Sequence, residues 1–465
     1  MPEYEEILAL FKKHGQEHIL SGWEKLFPEQ QDNLLADCAQ VDFTWLKARL
    51  AEFQAAQASS RRPKKIAPAP VARLPENEEE TTDAAARAAG EELLKKGKAA
   101  AFLAAGGQGS RLGFEGPKGC FPIGPISGRS LFQWHGERIA ARSRRCGAPI
   151  PWYIMTSQEN DRETRRHFDA HGFFGLPEDD VFFFSQSMVP CLDFNGKLML
   201  SSPASLAMNP DGHGGAISGF RLSGALDDMK ERGIEVVSYF QVDNPLVAAC
   251  DPLFLGRHVL EEAEMSSKVV RKNSPSERMG IACLLDGKPA VVEYIDLDEE
   301  SMRAANPDGS LRFWAGSAAI HAMNTSFLDK VSDGSQLPWH QSRKKVPYFA
   351  GNRLIKPDKE NAVKFETFVF DALPFARKSL NLEIRREDEF APLKNAEGLD
   401  SIESCRLILS NHFREWLVQA GVAMPADSAK PPVVEISPLY SLDAGELASK
   451  IKPGGVTLER FLLLG

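Results

Sequence analysis

Along the chain the spacing of apolar residues changes several times, and each change marks an element. From Glu5 to about Gln57 apolar side chains recur three and four residues apart: Ile7, Leu8 and Phe11, then Ile19, Trp23 and Leu26, then Leu34, Leu35 and Cys38. One face of a helix carries that spacing, so the stretch predicts a small helical region, with boundaries at Pro28 and at Asp42, the latter as an N-cap. Between Ser59 and Glu80 the residues turn to Arg, Lys, Pro and Ala and then to Glu, which predicts an exposed connector. Its basic run from Arg61 to Lys65 has no aromatic among it and an acidic run behind it, so it reads as a solvated segment and not as a nucleic-acid patch. Thr82 or Asp83 then caps a helix that carries the chain to Lys98.

Beyond Lys98 the pattern becomes short continuous apolar runs: Ala99 to Ala105, Ile150 to Met155, Phe182 to Phe184 and Ile234 to Val242. Runs of that length suit strands buried on both faces of a parallel sheet. Helical spacing separates them, over Leu131 to Arg145 and in a helix ending at Asp228 to Arg232 with Gly233 as its stop. Strands alternating with helices predict an α/β protein with a doubly wound sheet. In such sheets ligands lie beyond the carboxyl ends of strands, so the residues that follow each run carry the chemistry.

After the first run comes AGGQGSRLGFEGPKG, with Gly106 and Gly107 at its start and Gly109 and Gly113 inside it. A loop so poor in side chains can lay backbone N–H groups against a phosphate or a base. Arg111 and Lys118 place a cation on either flank. The spacing is not that of a P-loop, since Phe114 and Glu115 follow Gly113. Nor is it the dinucleotide fingerprint, because counting from Gly107 the third glycine comes one residue late, with Leu112 in its place. A strand, a bare loop and two spaced cations predict a nucleotide-triphosphate site; a tight glycine turn without a ligand is the alternative. The run ending at Val242 is followed at once by Asp243, where a carboxylate can hold Mg²⁺ between phosphates, or can simply make a turn before Pro245. Asp211-Gly212-His213-Gly214-Gly215 is a second glycine-rich turn able to admit a flat ring.

Composition narrows the classes. The chain has 465 residues, 43% of them hydrophobic and 26% charged, as in ordinary globular proteins. No apolar run approaches the roughly 20 residues of a membrane span. The start is acidic and amphipathic, so a cytoplasmic protein without membrane association is expected. The net charge of −9 argues against a nucleic-acid partner. Seven cysteines without a Cys-x-x-Cys pair argue against a disulfide framework and a thiolate zinc site. No Ser-His-Asp or paired-carboxylate pattern is present.

Taken together and in order, LAAGGQGSRLGFEGPKG, IPWYIMTS, Phe184 to Pro190, Val242-Asp243-Asn244, Val292-Glu293-Tyr294, LIKPDKENAVKFETFVFDAL, REDEFAPLKNAEG and VEISPLYS resemble the eukaryotic-type UDP-sugar pyrophosphorylases, most closely their UDP-N-acetylhexosamine branch. The likeness runs from about residue 90 to 445. It implies a Rossmann-like nucleotidyltransferase core with a mixed, mostly parallel sheet over residues 96–395. An N-terminal helical region with linker (1–95) and a small C-terminal domain (396–465) would flank it. It also implies that Gly106, Gly107, Gln186, Gly212 and His213 bind the uridine nucleotide, and that Arg111, Lys118, Lys364 and Lys394 attend the phosphates. Asp243 would hold magnesium, with manganese as the alternative ion. Gly280, Glu293, Tyr294, Ser317, Phe368 and Phe370 would line the sugar pocket.

Several of these residues also have plainer readings. Lys364 alternates with Val363 and Phe365 as on the exposed face of an edge strand, Glu293 follows two valines, and Phe368 and Phe370 have core spacing. The reaction implied joins UTP and a sugar 1-phosphate to give a UDP-sugar and pyrophosphate. His213 resembles the Gly-His-Gly turn of UDP-glucose and broad UDP-sugar pyrophosphorylases, and Ser317 stands where the N-acetylhexosamine enzymes place asparagine. The resemblance as a whole still favours N-acetylglucosamine 1-phosphate, while these two departures keep glucose 1-phosphate and a broad sugar range open. A UDP-sugar-binding protein without catalysis is the reading from another class, and a nicotinamide oxidoreductase a remote third.

Overall fold

The computed structural model describes residues 3–58, 65–74, 82–333, 337–425, 431–451 and 460–465. The chain forms two compact units, each from non-contiguous segments. The smaller takes Met1–Lys64, Gln186–Gly215 and Gln336–Val369, and the larger takes Lys65–Ser185, Ala216–Ser335 and Phe370–Gly465.

The larger unit is built on a ten-stranded mixed sheet. In chain order its strands are β1 (Ile66–Pro68), β2 (Ala99–Ala104), β3 (Trp152–Thr156), β4 (Val181–Ser185), β5 (Val236–Gln241), β6 (Met265–Arg271), β7 (Ile281–Leu285), β8 (Lys288–Val292), β9 (Ala315–Asn324) and β10 (Ser379–Glu383). The order β5-β2-β3-β4 is parallel, and these are the four apolar runs of the sequence. Ala99 to Leu103 and all of β3 are buried, as strands covered on both faces must be. Antiparallel β9 extends this part from β5 and continues to β6 and β7. Helix Leu131–Cys146 returns from β2 to β3. Ser130 caps it, its hydroxyl accepting from the Gln133 amide at 3.1 Å, and Gly147 stops it at φ +73°. Phe102, Phe184, Phe220 and Tyr239 pack their rings together on one side of the sheet.

The connector expected over 59–80 is not wholly irregular, because Ile66–Pro68 pairs with β7 as an edge strand. The basic run, apart from Lys65, and the acidic run at 75–80 lie outside the described residues.

In the smaller unit the N-terminal periodicity becomes helices Tyr4–Lys13, Pro28–Ala39 and Phe43–Ala58, with two short 3₁₀ turns between the first and second. Asp42 caps the third, accepting from the Thr44 and Trp45 amides at 2.8 and 3.0 Å. The helices bury Phe11, Leu34, Leu35 and Leu46 in one core with Leu192, Leu206, Val363 and Phe365, which come from later segments. Strand Ala362–Glu366 is the middle one of three, between His340–Lys344 and Leu192–Asp193. Lys364 thus alternates with buried Val363 and Phe365 as expected, but not on an edge strand.

Candidate functional site

In the larger unit, β2 ends in the glycine loop, which doubles back on itself. The Lys118 amide donates to the Gly107 carbonyl at 3.0 Å, and the Gly109 amide to the Gly116 carbonyl at 2.9 Å. The reversal passes through Gly113 at φ +69°, a conformation that disfavours a side chain. Buried Asn160 donates to the carbonyls of Ala105 at 2.9 Å and Gly107 at 3.3 Å, tying the loop base to the turn after β3. Gly106 is half-buried and Gly107 exposed, with open space where a Gly107 side chain would be.

This folding carries Lys118 to the end of β5, where its Nζ stands 3.8 Å from Asp243 Oδ2. The two side chains are 17% and 15% exposed, so the pair is largely shielded yet reachable. The Asp243 carbonyl accepts from the Leu393 amide at 2.8 Å, and the Arg111 carbonyl from the Ala396 amide at 3.1 Å. Two backbone hydrogen bonds therefore lay the segment that holds Lys394 between the glycine loop and the strand end. Arg111, Lys118, Asp243 and Lys394, far apart in sequence, are brought together.

Sequence reasoning missed further charges here. Asp400, whose carbonyl accepts from the Lys394 amide at 2.7 Å, has its carboxyl pushed up by burial. Lys394 and Arg386 oppose that rise, and Glu277 and Asp243 add to it. Arg386 pairs with Glu277 at 2.7 Å. Lys268 in β6 is fully buried, its ammonium 2.8 Å from Asp251 and 2.7 Å from both Glu389 oxygens. Burial alone would drive the lysine towards its neutral form, but two carboxylates outweigh it and hold the proton more tightly than usual. Burial likewise raises Asp251, and the ammonium more than reverses this, leaving it below the usual carboxylate range.

A second group gathers further along the sheet. The Ser317 amide donates to the Gly280 carbonyl at 2.8 Å. A Cβ at Gly280 would sit 3.1 Å from Glu293 Oε1 and 2.8 Å from Val291 Cγ1, so Glu293 closes directly over that glycine. Gly280, Glu293 and Ser317 are thus neighbours, and half-buried Tyr294 opens the short turn after Glu293. Phe370 is buried at the start of the larger unit's last segment.

In the smaller unit the turn at 211–215 is fastened to the strand that carries Lys364. The Asp211 carbonyl accepts from the Thr367 amide at 2.7 Å, and the Gly214 amide donates to the Thr367 carbonyl at 2.9 Å. Gly212 is required twice over: its φ is +86°, and a Cβ would meet the Thr367 carbonyl oxygen at 2.4 Å. His213 Nδ1 accepts from the Val369 amide at 3.2 Å, and its ring stacks on Phe368 with centroids 5.2 Å apart. Phe368 also meets His340 at 4.5 Å, so it packs against imidazoles and is only half-buried. Gln186 is buried beside Ser187, whose carbonyl accepts from the Asp211 amide. The Asp211 carboxyl is buried, and its Oδ1 has no hydrogen-bond partner among the described residues. Burial pushes its pKa to about 7.

A mixed sheet with a glycine loop after one central strand, an acidic residue after the next and a lysine segment returning to both defines an α/β nucleotidyltransferase fold. The chain belongs to the family described as UTP–glucose-1-phosphate uridylyltransferase, which it matches over residues 48–442. It is 36% identical over 475 residues to the human UDP-N-acetylhexosamine pyrophosphorylase-like protein 1, covering 95% of this chain and 93% of that one. To UDP-N-acetylglucosamine diphosphorylase 1 of Arabidopsis thaliana it is 35% identical, covering 95% of this chain and 89% of the other. Its fold is similar to that of the uridine diphosphate N-acetylglucosamine pyrophosphorylase from Trypanosoma brucei, with a TM-score of 0.86, 26% identity, and 100% and 98% of the two chains covered.

Proposed function

We propose that this chain transfers a uridylyl group from UTP to N-acetylglucosamine 1-phosphate, giving UDP-N-acetylglucosamine and pyrophosphate. The observation that carries the reading is the convergence of Lys118, Asp243, Arg111 and the Lys394 segment in the larger unit. The names of the relatives at 35–36% identity support the choice of sugar.

The chemistry asks little of acid–base residues. An oxygen of the sugar phosphate attacks the α-phosphorus of UTP in line; the new P–O bond forms as the bond to the β-phosphate breaks, and pyrophosphate leaves with the electron pair. The attacking group is already an anion near pH 7, since a phosphate monoester's second pKa is about 6. Two polyanions must instead be held in reach of each other, which is work for Arg111, Lys118 and Lys394. Asp243, a shielded carboxylate beside Lys118, fits a residue that would hold magnesium. When bound there the ion screens phosphate charge. We assign Gly106 and Gly107 to the phosphates and Gly280, Glu293, Tyr294, Ser317 and Phe370 to the sugar. In the smaller unit we assign Gln186, Gly212 and His213 to the uracil, Lys364 to phosphate and Phe368 to the sugar.

Ser317, standing next to Gly280 and Glu293 where the N-acetylhexosamine enzymes place asparagine, favours a second reading in which glucose 1-phosphate is also taken. The test is pyrophosphate release from UTP, Mg²⁺ and a panel of sugar 1-phosphates. N-acetylglucosamine 1-phosphate is expected to react fastest, and silence across the panel overturns the reading. No described helix is long and apolar enough to cross a membrane.

A further inference from the structure

We propose that Lys268 is a positioning residue that sets Asp243 and Lys394 at their working separation. Neither side chain touches Lys268; the link runs through the two segments that carry them. On one side is the turn from Asp243 to Asp251. Asp251 receives one N–H of the ammonium and caps helix Pro252–Leu260 through the amides of Leu253 and Phe254. On the other side is the segment from Glu389 to Lys394, and both carboxylate oxygens of Glu389 take the remaining contacts of the ammonium.

The two segments are also sewn to each other. Glu389 Oε2 accepts from the Ala248 amide at 3.3 Å, and the Glu389 carbonyl accepts from Asn244 Nδ2 at 2.7 Å. Asn244 Oδ1 accepts from the amides of Ala391 at 3.0 Å and Leu246 at 3.3 Å. The seam ends on the Leu393 amide and the Asp243 carbonyl. Arg138 pins the same turn from below, donating to the Pro245 and Val247 carbonyls. Lys268 is where the seam is anchored to the sheet, and it brings two carboxylates that repel one another to within 3 Å of one cation. A buried lysine, costly to desolvate, thus joins the segments that lead to Asp243 and Lys394, where an apolar residue could fill the space but could not hold both. Shape alone would accept methionine; registration of the two segments would not.

This inference rests on the reading of Asp243 as the metal-bearing residue. The test compares the full chain with a replacement of the whole cluster, Lys268→Met with Asp251→Asn and Glu389→Gln, which keeps volume and removes the buried cation together with the two carboxylates it holds. The expected result is a cooperative melt, a kcat lowered at least thirtyfold, a KM for UTP changed less than threefold, and at least tenfold weaker Mn²⁺ binding in the presence of UTP, read from free Mn²⁺ by electron paramagnetic resonance. Hydrogen exchange at the Ala391 and Leu393 amides should speed up at least tenfold. A kcat within threefold of the parent and unchanged exchange overturn the proposal. If the triple replacement does not melt cooperatively, Glu389→Gln alone decides by the same readings, with exchange at these amides at least threefold faster expected and unchanged exchange overturning. Failure of the parent chain to bind Mn²⁺ with UTP would instead overturn the reading of Asp243, and the exchange rates would still report on Lys268.

Discussion

Replacing Asp211 by asparagine should flatten the pH dependence of stability. Asp211 is 4% exposed, its Oδ1 has no hydrogen-bond partner among the described residues, and burial pushes its pKa up to about 7 from the ordinary 3.8. An acid raised in this way stabilises the fold most below pH 3.8, and that contribution is lost as the pH rises through 7, because the folded chain must then bury an anion. The interval of about three pKa units corresponds to about 4 kcal/mol, of which about 3 kcal/mol falls between pH 5 and pH 8. The carboxyl fills the place where a Gly215 side chain would be, at the start of helix Gly215–Leu222. A helix start favours an anion by about 0.3–1 kcal/mol, which trims the effect without cancelling it. At about 2 °C per kcal/mol for a chain of this size, the parent should lose about 6 °C more than Asp211→Asn between pH 5 and pH 8. Scanning calorimetry of both proteins at the two pH values measures this difference. Parallel shifts would show that Asp211 is not a neutral buried acid.

Other perturbations test the site directly. Arg111→Ala should lower turnover by roughly 10² to 10³ with the melting temperature unchanged, the usual loss for one positioned charge, and an unaltered rate counts against the phosphate cluster. Gly212→Ala places a methyl group 2.4 Å from the Thr367 carbonyl at a φ of +86°, so it should raise the KM for UTP or lower the melting temperature by several degrees. Gly280→Ala intrudes on Glu293 and should raise the KM for the sugar phosphate and leave that for UTP unchanged, which initial-rate kinetics separate. Chelation of divalent cations should stop pyrophosphate release, and added Mg²⁺ should restore it.

The parallel half of the sheet was legible because β2, β3 and β5 are buried on both faces and carry uninterrupted apolar runs. The antiparallel half was not. β9 contains Ser317, His321 and Asn324, whose polar groups are satisfied inside the fold, His321 by Ser267 and Asn324 by His258, so its pattern does not look like that of a buried strand. The same distinction holds at the site. Arg111, Lys118 and Asp243 follow strands and could be found from their place in the pattern. Lys394 required the family resemblance, because its position depends on hydrogen bonds to residues far away in sequence. Lys268, Asp251 and Glu389 were invisible, since a charge bound for the interior is written with the same letters as one bound for the surface.

The hydrogen bonds from Leu393 to Asp243 and from Ala396 to Arg111 give the molecule an order of birth. A chain emerging from the ribosome can form β2 and its glycine turn early, yet that turn stays without its lysine neighbour until translation has passed residue 396. Protein made only as far as the glycine turn would hold its nucleotide weakly, and competence to react would arrive only once the segment through Ala396 has been delivered.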